Sequence, residues 1–139
     1  MHDTGKIGIP DTVLCKPAAL NDEEWCIMRT HCKIGHDILV KSDEPVFALA
    51  AQIALHHHEK WDGSGYPRGL KGEEIPLPAR VFSIIDVWDA LTSDRPYRPA
   101  WDKQKTLKHI NSESSKHFDP EIVKLFNKLI DQDLAVPNI

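Results

Sequence analysis

The sequence predicts a single all-α domain in which short helices surround one long loop rich in glycine and proline. Two observations predict this class: apolar residues recur at helical intervals in several segments, and helix breakers are concentrated in one stretch. The chain has 139 residues, of which 41% are hydrophobic and 27% charged, as in one ordinary soluble domain. A formal net charge of -4 argues against a broad surface for DNA.

The first predicted helix covers about residues 21–33. Asn21 and Glu24 have the spacing of a capping box, and apolar residues follow at helical intervals. A second helix is predicted to begin at Pro45, a residue that the first helical turn tolerates. Its apolar stripe extends as far as His57.

The stretch 62–78 contains four glycines and three prolines and is therefore predicted to be a long irregular loop. Such a loop inside a compact domain is more often functional than idle. Helical spacing resumes over residues 81–91, and a short helix is expected around residues 107–110. Asp119 and Pro120 then have the cap and first-turn chemistry that opens a last amphipathic helix.

The three cysteines, Cys15, Cys26 and Cys32, are odd in number and have no CxxC spacing. This pattern favours reduced thiols in the cytosol, and we expect all three to be small buried residues. No apolar run reaches membrane-spanning length, and the first residues do not resemble a signal peptide. We therefore expect a cytoplasmic location and no membrane contact by this fragment.

Histidine placement gives the first indication of chemistry. His57 lies in the middle of the apolar face of the second predicted helix, and His58 lies near the edge of that face. A lone histidine there would more often be a core residue with a satisfied partner. Two adjacent imidazoles that lead into a glycine-rich loop favour metal ligands instead.

Further candidate ligands lie elsewhere in the chain. His2 supplies another imidazole, and the Asp3 carboxylate can bridge two cations. Asp86 and Asp89 would both lie at the rim of a core-facing surface, where an unpaired charge is costly. Both could instead be capping or salt-bridged acids, and for Asp89 this alternative is about as good. His31 supplies a further imidazole. Together these residues form a nitrogen and oxygen donor set that suits iron, manganese or zinc. Paired metals of this kind favour phosphoester hydrolysis.

Basic residues accompany the candidate ligands. Lys6, three residues after Asp3, could offset the charge that develops on a phosphoryl group, and its alternative is an ordinary solvated lysine. Arg95 and Arg98 lie on a proline-stiffened loop that suits a phosphate clamp, and their alternative is a surface salt bridge.

Taken together, the motifs HDTGK, HHEKWDGSGYP, DALTSDRPYR and FDP resemble the HD-GYP family of HD-domain phosphohydrolases. The resemblance implies an all-helical HD-domain bundle with a long GYP loop. It also implies a metal-dependent enzyme that hydrolyses cyclic di-GMP to pGpG or GMP in bacterial signalling. Two divalent ions are implied, or three in one subgroup, with iron or manganese as the first expectation and zinc as the alternative.

Position by position, the resemblance implies a set of metal ligands in which Asp3 is the bridge and a catalytic participant: His2, Asp3, His31, His57, His58 and Asp86. Lys6 matches the catalytic lysine of the family. Arg95 and Arg98 match positions that contact ligand phosphates. Tyr66 belongs to the substrate-side loop, which the family also uses to contact GGDEF-domain proteins.

Family members carry one or more helices before the HD motif, whereas this sequence begins one residue before it. We therefore expect residues 1–139 to form a single HD-GYP domain that lacks its N-terminal helices, as a fragment of a longer signalling protein. One alternative is a catalytically weak or inactive module that binds a nucleotide or a GGDEF domain. Another is an HD hydrolase of a different phosphoester. The sequence does not indicate an oligomeric state.

Overall fold

The computed structural model describes residues 1–94 and 98–135, with side chains up to residue 131. No strand forms within these residues, where only isolated bridges occur, which confirms the all-α prediction. Two short 3-10 turns, Thr4–Gly8 and Gly72–Glu74, accompany the α-helices. The helices are α1 (Asp11–Leu14), α2 (Asp22–Arg29), α3 (His31–Leu39), α4 (Pro45–His56), α5 (Leu77–Thr92), α6 (Lys103–Ser112) and α7 (Pro120–Ala135).

The single helix predicted over residues 21–33 is wrong, because the segment forms α2 and α3 with a break at Thr30. The capping box at Asn21 is confirmed, since its side chain accepts a hydrogen bond from the Glu24 amide at 2.8 Å. At the break, both the amide and the hydroxyl of Thr30 donate to the Ile27 carbonyl, at 3.0 and 2.6 Å. This bond to the third preceding residue tightens the turn and starts α3 at His31.

The later helices, α5 to α7, include the predicted segments and extend beyond them. Helix α5 begins at Leu77, inside the predicted loop, because Pro78 occupies the first turn, where no amide donor is needed. Helix α6 is capped by the Asp102 side chain, which accepts from the Lys105 amide at 2.8 Å. The predicted cap of α7 is confirmed, since Asp119 accepts from the amide two residues later at 2.9 Å.

The helices bury two hydrophobic clusters. One joins α3 to α4 and the other joins α5, α6 and α7, and α5 also packs against α4. A partly buried ion pair lies beside the second cluster, because Arg80 on α5 donates to the Asp119 carboxylate at 2.7 Å. The clusters contain Leu39, Ala50, Ala51 and Ala54 in the first, and Ile84, Ile110, Phe118 and Val123 in the second.

Two of the three cysteines differ from the prediction. Cys32 is fully buried, as expected, but Cys15 and Cys26 are exposed. Cys15 follows the short helix α1, and Cys26 lies on a helix in which no residue is buried, so neither position faces a core. In the described part of the chain, no helix is long and apolar enough to cross a membrane.

Candidate metal centre

The N-terminal turn lies directly against the start of α3. A Cβ atom added to Gly5 would fall 1.9 Å from the His31 carbonyl oxygen and 2.4 Å from the Gly35 amide nitrogen. Only glycine permits this approach of the two backbones. Because Asp3 immediately precedes the turn, the approach holds its carboxylate beside the side chain of His31.

The Asp3 carboxylate lies among three imidazoles. Its Oδ1 atom is 3.6 Å from Nε2 of His31 and 3.8 Å from Nε2 of His57, and its Oδ2 atom is 3.4 Å from Nε2 of His2. These separations are longer than the 2.7–3.2 Å of a typical hydrogen bond. Two donors that each lie about 2.1 Å from one ion are about 3.0 to 3.4 Å apart. The separation from His2 reaches this range, and those from His31 and His57 exceed it by 0.2 and 0.4 Å, so the donors stand close to the spacing of ligands around shared cations.

Backbone carbonyls fix the tautomers of two of these histidines. Nδ1 of His31 donates to the Met28 carbonyl at 2.6 Å, and Nδ1 of His57 donates to the Ala54 carbonyl at 3.0 Å. A carbonyl can only accept, so each neutral ring carries its proton on Nδ1 and presents a lone pair at Nε2. Nε2 of His57 is buried and has no hydrogen-bond partner among the described residues. A cation would satisfy this atom.

His57 and His58 are neutral at physiological pH. Burial lowers the pKa of His57 to about 4, and the nearby charge of His2 acts in the same direction. Burial also lowers the pKa of His58 to about 3, with a further contribution from His57. The His58 ring packs against the rings of His57 and His31, at centroid distances of 4.0 and 5.2 Å. A neutral imidazole is the form that binds a metal.

Lys6 contacts the central carboxylate. Its Nζ atom donates to Oδ2 of Asp3 at 2.6 Å. Burial by itself would raise the pKa of the Asp3 carboxyl, but the hydrogen bond and the charge of Lys6 outweigh it. Together with smaller contributions from His2 and His57, they hold this pKa below its usual range. Asp3 is therefore ionised at neutral pH, as a bridging ligand must be.

Helix α5 supplies the remaining predicted ligand. Oδ1 of Asp86 lies 3.8 Å from Nε2 of His2. The structure thus brings five of the six predicted ligands and Lys6 together around one polar cavity. The sixth, His31, lies beside this cavity through its contact with Asp3. Asp89 also lines this cavity of about 450 Å³, and the Ser93 hydroxyl donates to its carboxylate at 3.4 Å.

Cys32 is a metal-competent side chain that the sequence reasoning assigned to the core. The Sγ atom of Cys32 is 3.5 Å from Nε2 of His31. The donor atoms of Cys32, His31, His57 and His58 all lie within 4.8 Å of one another. Burial raises the pKa of the thiol to about 12, and the nearby charge of Asp3 adds to this effect. In the metal-free chain the thiol is therefore protonated, whereas the Asp3 carboxylate and the His57 and His58 imidazoles are already in the forms that bind a divalent metal.

The GYP loop, which contains Gly65 and Tyr66, packs directly against the candidate metal centre. The Tyr66 amide donates to the His58 carbonyl at 3.1 Å, and the two side chains stack with ring centroids 4.7 Å apart. A Cβ atom on Gly65 would fall 2.5 Å from the same carbonyl oxygen, so this position requires glycine.

Glu59 anchors the far side of the loop. Its side chain is buried, and its two oxygens accept the amides of Arg68 and Leu70 at 2.8 and 3.0 Å. From the sequence alone, Glu59 is expected to be a structural or surface residue. An acidic residue between two ligands and a glycine-rich loop was the sequence signal for this anchoring role.

The predicted phosphate clamp is described only in part. The Arg98 guanidinium donates to the Ala90 carbonyl and lies over the Trp101 ring, with Cζ 5.5 Å from the centroid. Ala90 lines the polar cavity, which places Arg98 near its rim. Arg95 lies outside the described residues, so its predicted role stays a prediction.

A family model described as HD domain matches residues 1–122. The chain belongs to the HD domain family. The similarity of this HD domain to curated relatives is also extensive. It is 49% identical over 129 residues to a cyclic di-GMP phosphodiesterase of Thermotoga maritima. The alignment covers 93% of this chain and 35% of that protein. It is 47% identical over 123 residues to a cyclic di-GMP phosphodiesterase response regulator of Xanthomonas campestris, covering 88% and 32%.

A third relative is named for a different substrate. This HD domain is 40% identical over 136 residues to a 3'3'-cGAMP-specific phosphodiesterase of Vibrio cholerae, covering 98% of this chain and 26% of that protein. A crystal structure of a cyclic GMP-AMP specific phosphodiesterase from V. cholerae matches with a TM-score of 0.66 at 22% identity. It covers 92% of this chain and 33% of that one, and it confirms the fold. The HD domain thus spans 26% to 35% of the length of these three relatives.

Proposed function

We propose that this HD domain is a metal-dependent phosphodiesterase that hydrolyses cyclic di-GMP to pGpG or GMP in bacterial second-messenger signalling. The observation that supports it best is the position of the Asp3 carboxylate. It lies between three imidazoles on one side and the Lys6 ammonium on the other. An ionised carboxylate among imidazoles is a donor set suited to divalent cations.

The site would hold two divalent ions, iron or manganese, with zinc as the alternative. The residues proposed to hold them are His2, Asp3, His31, His57, His58 and Asp86. Bound there, such ions supply Lewis-acid polarisation of a phosphoryl oxygen and activation of a water molecule.

The side chains around the ligands have separate tasks. Lys6 orients Asp3 through the 2.6 Å contact, and its charge would offset the negative charge that develops on the phosphoryl group. Tyr66 rests on His58 and limits access from the loop side. Arg98 would face ligand phosphates at the rim, with Arg95 beside it in sequence. A cytoplasmic location and a GGDEF-domain partner remain expectations from the sequence.

Cyclic GMP-AMP is a second candidate substrate, because one relative of 40% identity is specific for it by name. Both candidates are tested with chain purified without oxygen and supplied with Fe(II) or Mn(II). Linear products are then separated by chromatography for each cyclic dinucleotide. We expect metal-dependent cleavage of cyclic di-GMP that is lost in His57→Ala. Binding without cleavage by the metal-loaded chain would contradict the enzyme proposal and favour the binding module.

A further inference from the structure

A second cavity adjoins the metal centre on the side of α2. Its volume is about 340 Å³, near the lower end for small-molecule sites. Its walls are mostly apolar and come from Leu14, Leu20, Trp25 and Met28, with Tyr66 at one side. This chemistry differs from that of the polar cavity, where charged and imidazole groups converge.

The two cavities share part of their lining. Lys6 and His58 border both of them, and His31 borders the second. A ligand whose phosphodiester lies at the metal centre could therefore extend an adjoining apolar group directly into the second cavity. The size of that cavity suits one planar ring system rather than a whole cyclic dinucleotide.

Trp25 provides a broad aromatic surface in the second cavity. The residue is 43% exposed although it lies on a well-anchored helix. The capping box at Asn21 and an ion pair of 2.6 Å between Lys16 and Glu24 fix α2 against the segment before it.

The other aromatic residue of this cavity already has partners. The Tyr66 ring stacks on His58, and the Arg29 guanidinium carbon lies 5.0 Å from its centroid. Among the described side chains, no ring or cation stacks on Trp25. Of the two aromatic residues, Trp25 is therefore the one with a face open to a ligand.

We propose that this cavity is the subsite for one purine base of a cyclic dinucleotide, with Trp25 as the stacking surface. The proposal rests on the proposed function, because the shared lining with the metal centre fixes where the phosphodiester would lie. Stacking of a base on an aromatic side chain supplies affinity for any base, since every base has a π face. The subsite therefore contributes to binding without distinguishing guanine from adenine.

Steady-state kinetics of Trp25→Ala and Trp25→Phe test the subsite. We expect Trp25→Ala to raise KM for cyclic di-GMP and for cyclic GMP-AMP alike by about 5- to 100-fold, with kcat little changed. Trp25→Phe should recover most of the loss, because it restores an aromatic face. Ile27→Ala is the matched control, since Ile27 is 40% exposed on the same helix and does not line the cavity.

Metal content, measured by elemental analysis after loading with Mn(II), separates base binding from damage to the metal centre. It should be the same in Trp25→Ala as in the unmodified chain. An unchanged KM for cyclic di-GMP would overturn the subsite, and so would a loss of metal in Trp25→Ala as large as that in His57→Ala.

Failure of the proposed function has a different signature. In that case the unmodified chain cleaves neither cyclic di-GMP nor cyclic GMP-AMP. Calorimetric binding of cyclic di-GMP still tests the subsite in that case. We expect Kd to rise in Trp25→Ala by the same 5- to 100-fold, about the worth of one stacked base. Equal Kd values for the two proteins, or the absence of binding by the unmodified chain, would overturn the proposal.

Discussion

Oδ1 of Asp3 lies 3.6 Å from Nε2 of His31, although α1 and α2 separate the two residues in the chain. The contact depends on Gly5, whose missing side chain lets the N-terminal turn touch the first turn of α3. Neither residue would form a metal site alone. Their approach creates the shared space that Nε2 of His57 also borders, 3.8 Å from Oδ1 of Asp3.

Removal of the Lys6 charge should reduce catalysis and leave metal binding in place. Lys6→Met deletes the group that donates to Oδ2 of Asp3, while the Asp3 carboxylate stays ionised near neutral pH. We expect kcat for cyclic di-GMP to fall by about 10²- to 10³-fold, as for loss of one electrostatic stabiliser in an active site. Metal content, measured by elemental analysis, should be retained, and Lys6→Arg should recover part of the rate. A large loss of metal in Lys6→Met would contradict this assignment.

Replacement of Cys32 tests whether a thiolate belongs to the metal centre. Its thiol stays protonated because burial raises its pKa to about 12. We therefore expect Cys32→Ala to retain the metal content of the unmodified chain, with a stability loss of about 1 kcal/mol for the removed sulfur. Elemental analysis and urea unfolding measure the two effects. If metal content falls to the level of His31→Ala, Cys32 is a ligand.

Glu59→Gln should loosen the GYP loop. An amide has one acceptor oxygen where the carboxylate has two, so the amide of either Arg68 or Leu70 loses its partner. We expect the free energy of unfolding to fall by about 1–3 kcal/mol and the loop to become more sensitive to limited proteolysis. The control is Glu73→Gln, an exposed acid of the same loop. Equal behaviour of the two variants would rule out anchoring by Glu59.

The metal-free chain should lose stability in mild acid. Burial lowers the pKa of His56 and His57 to about 4 and that of His58 to about 3, with smaller effects from nearby positive charges. An unfolded histidine titrates near 6.5, so below that pH the unfolded chain binds more protons than the folded one. The free energy of unfolding therefore falls as the pH drops from about 6.5 towards 4, and varies little from these groups above about 7.

Urea unfolding of chelator-treated protein at about pH 7.5, 6 and 5 measures this dependence. His56→Gln removes one titrating group and should flatten the profile. A free energy of unfolding that is equal at all three pH values would contradict the burial of these imidazoles.

The candidate ligand positions follow from the sequence, because residue type and motif order indicate them, and their role as ligands stays a prediction. His57 and His58 stand where a helical stripe meets a glycine-rich loop, and the structure places them there. The break at Thr30 could not be predicted, since the residues on both sides have helical periodicity. It arises from local hydrogen bonds to Ile27 and from the backbone contact with Gly5.

The second cavity could not be predicted from the sequence for a related reason. Trp25, Met28 and Cys32 recur at helical spacing, which predicts a stripe but not what the stripe faces. Only Cys32 enters the core, while Trp25 and Met28 border the cavity. The difference follows from how α1 and α2 pack, and periodicity alone does not report that packing.

Metal content of Asp3→Asn tests the central claim most directly, because this carboxylate contacts the donor atoms of three imidazoles. The variant keeps the shape of the side chain and removes its charge. Asp11→Asn, at an exposed acid on α1, is the control. Elemental analysis after anaerobic loading with Fe(II) or Mn(II) should find about two ions in the unmodified chain and in the control, and fewer in Asp3→Asn. Equal metal content in all three proteins would contradict a centre bridged by Asp3.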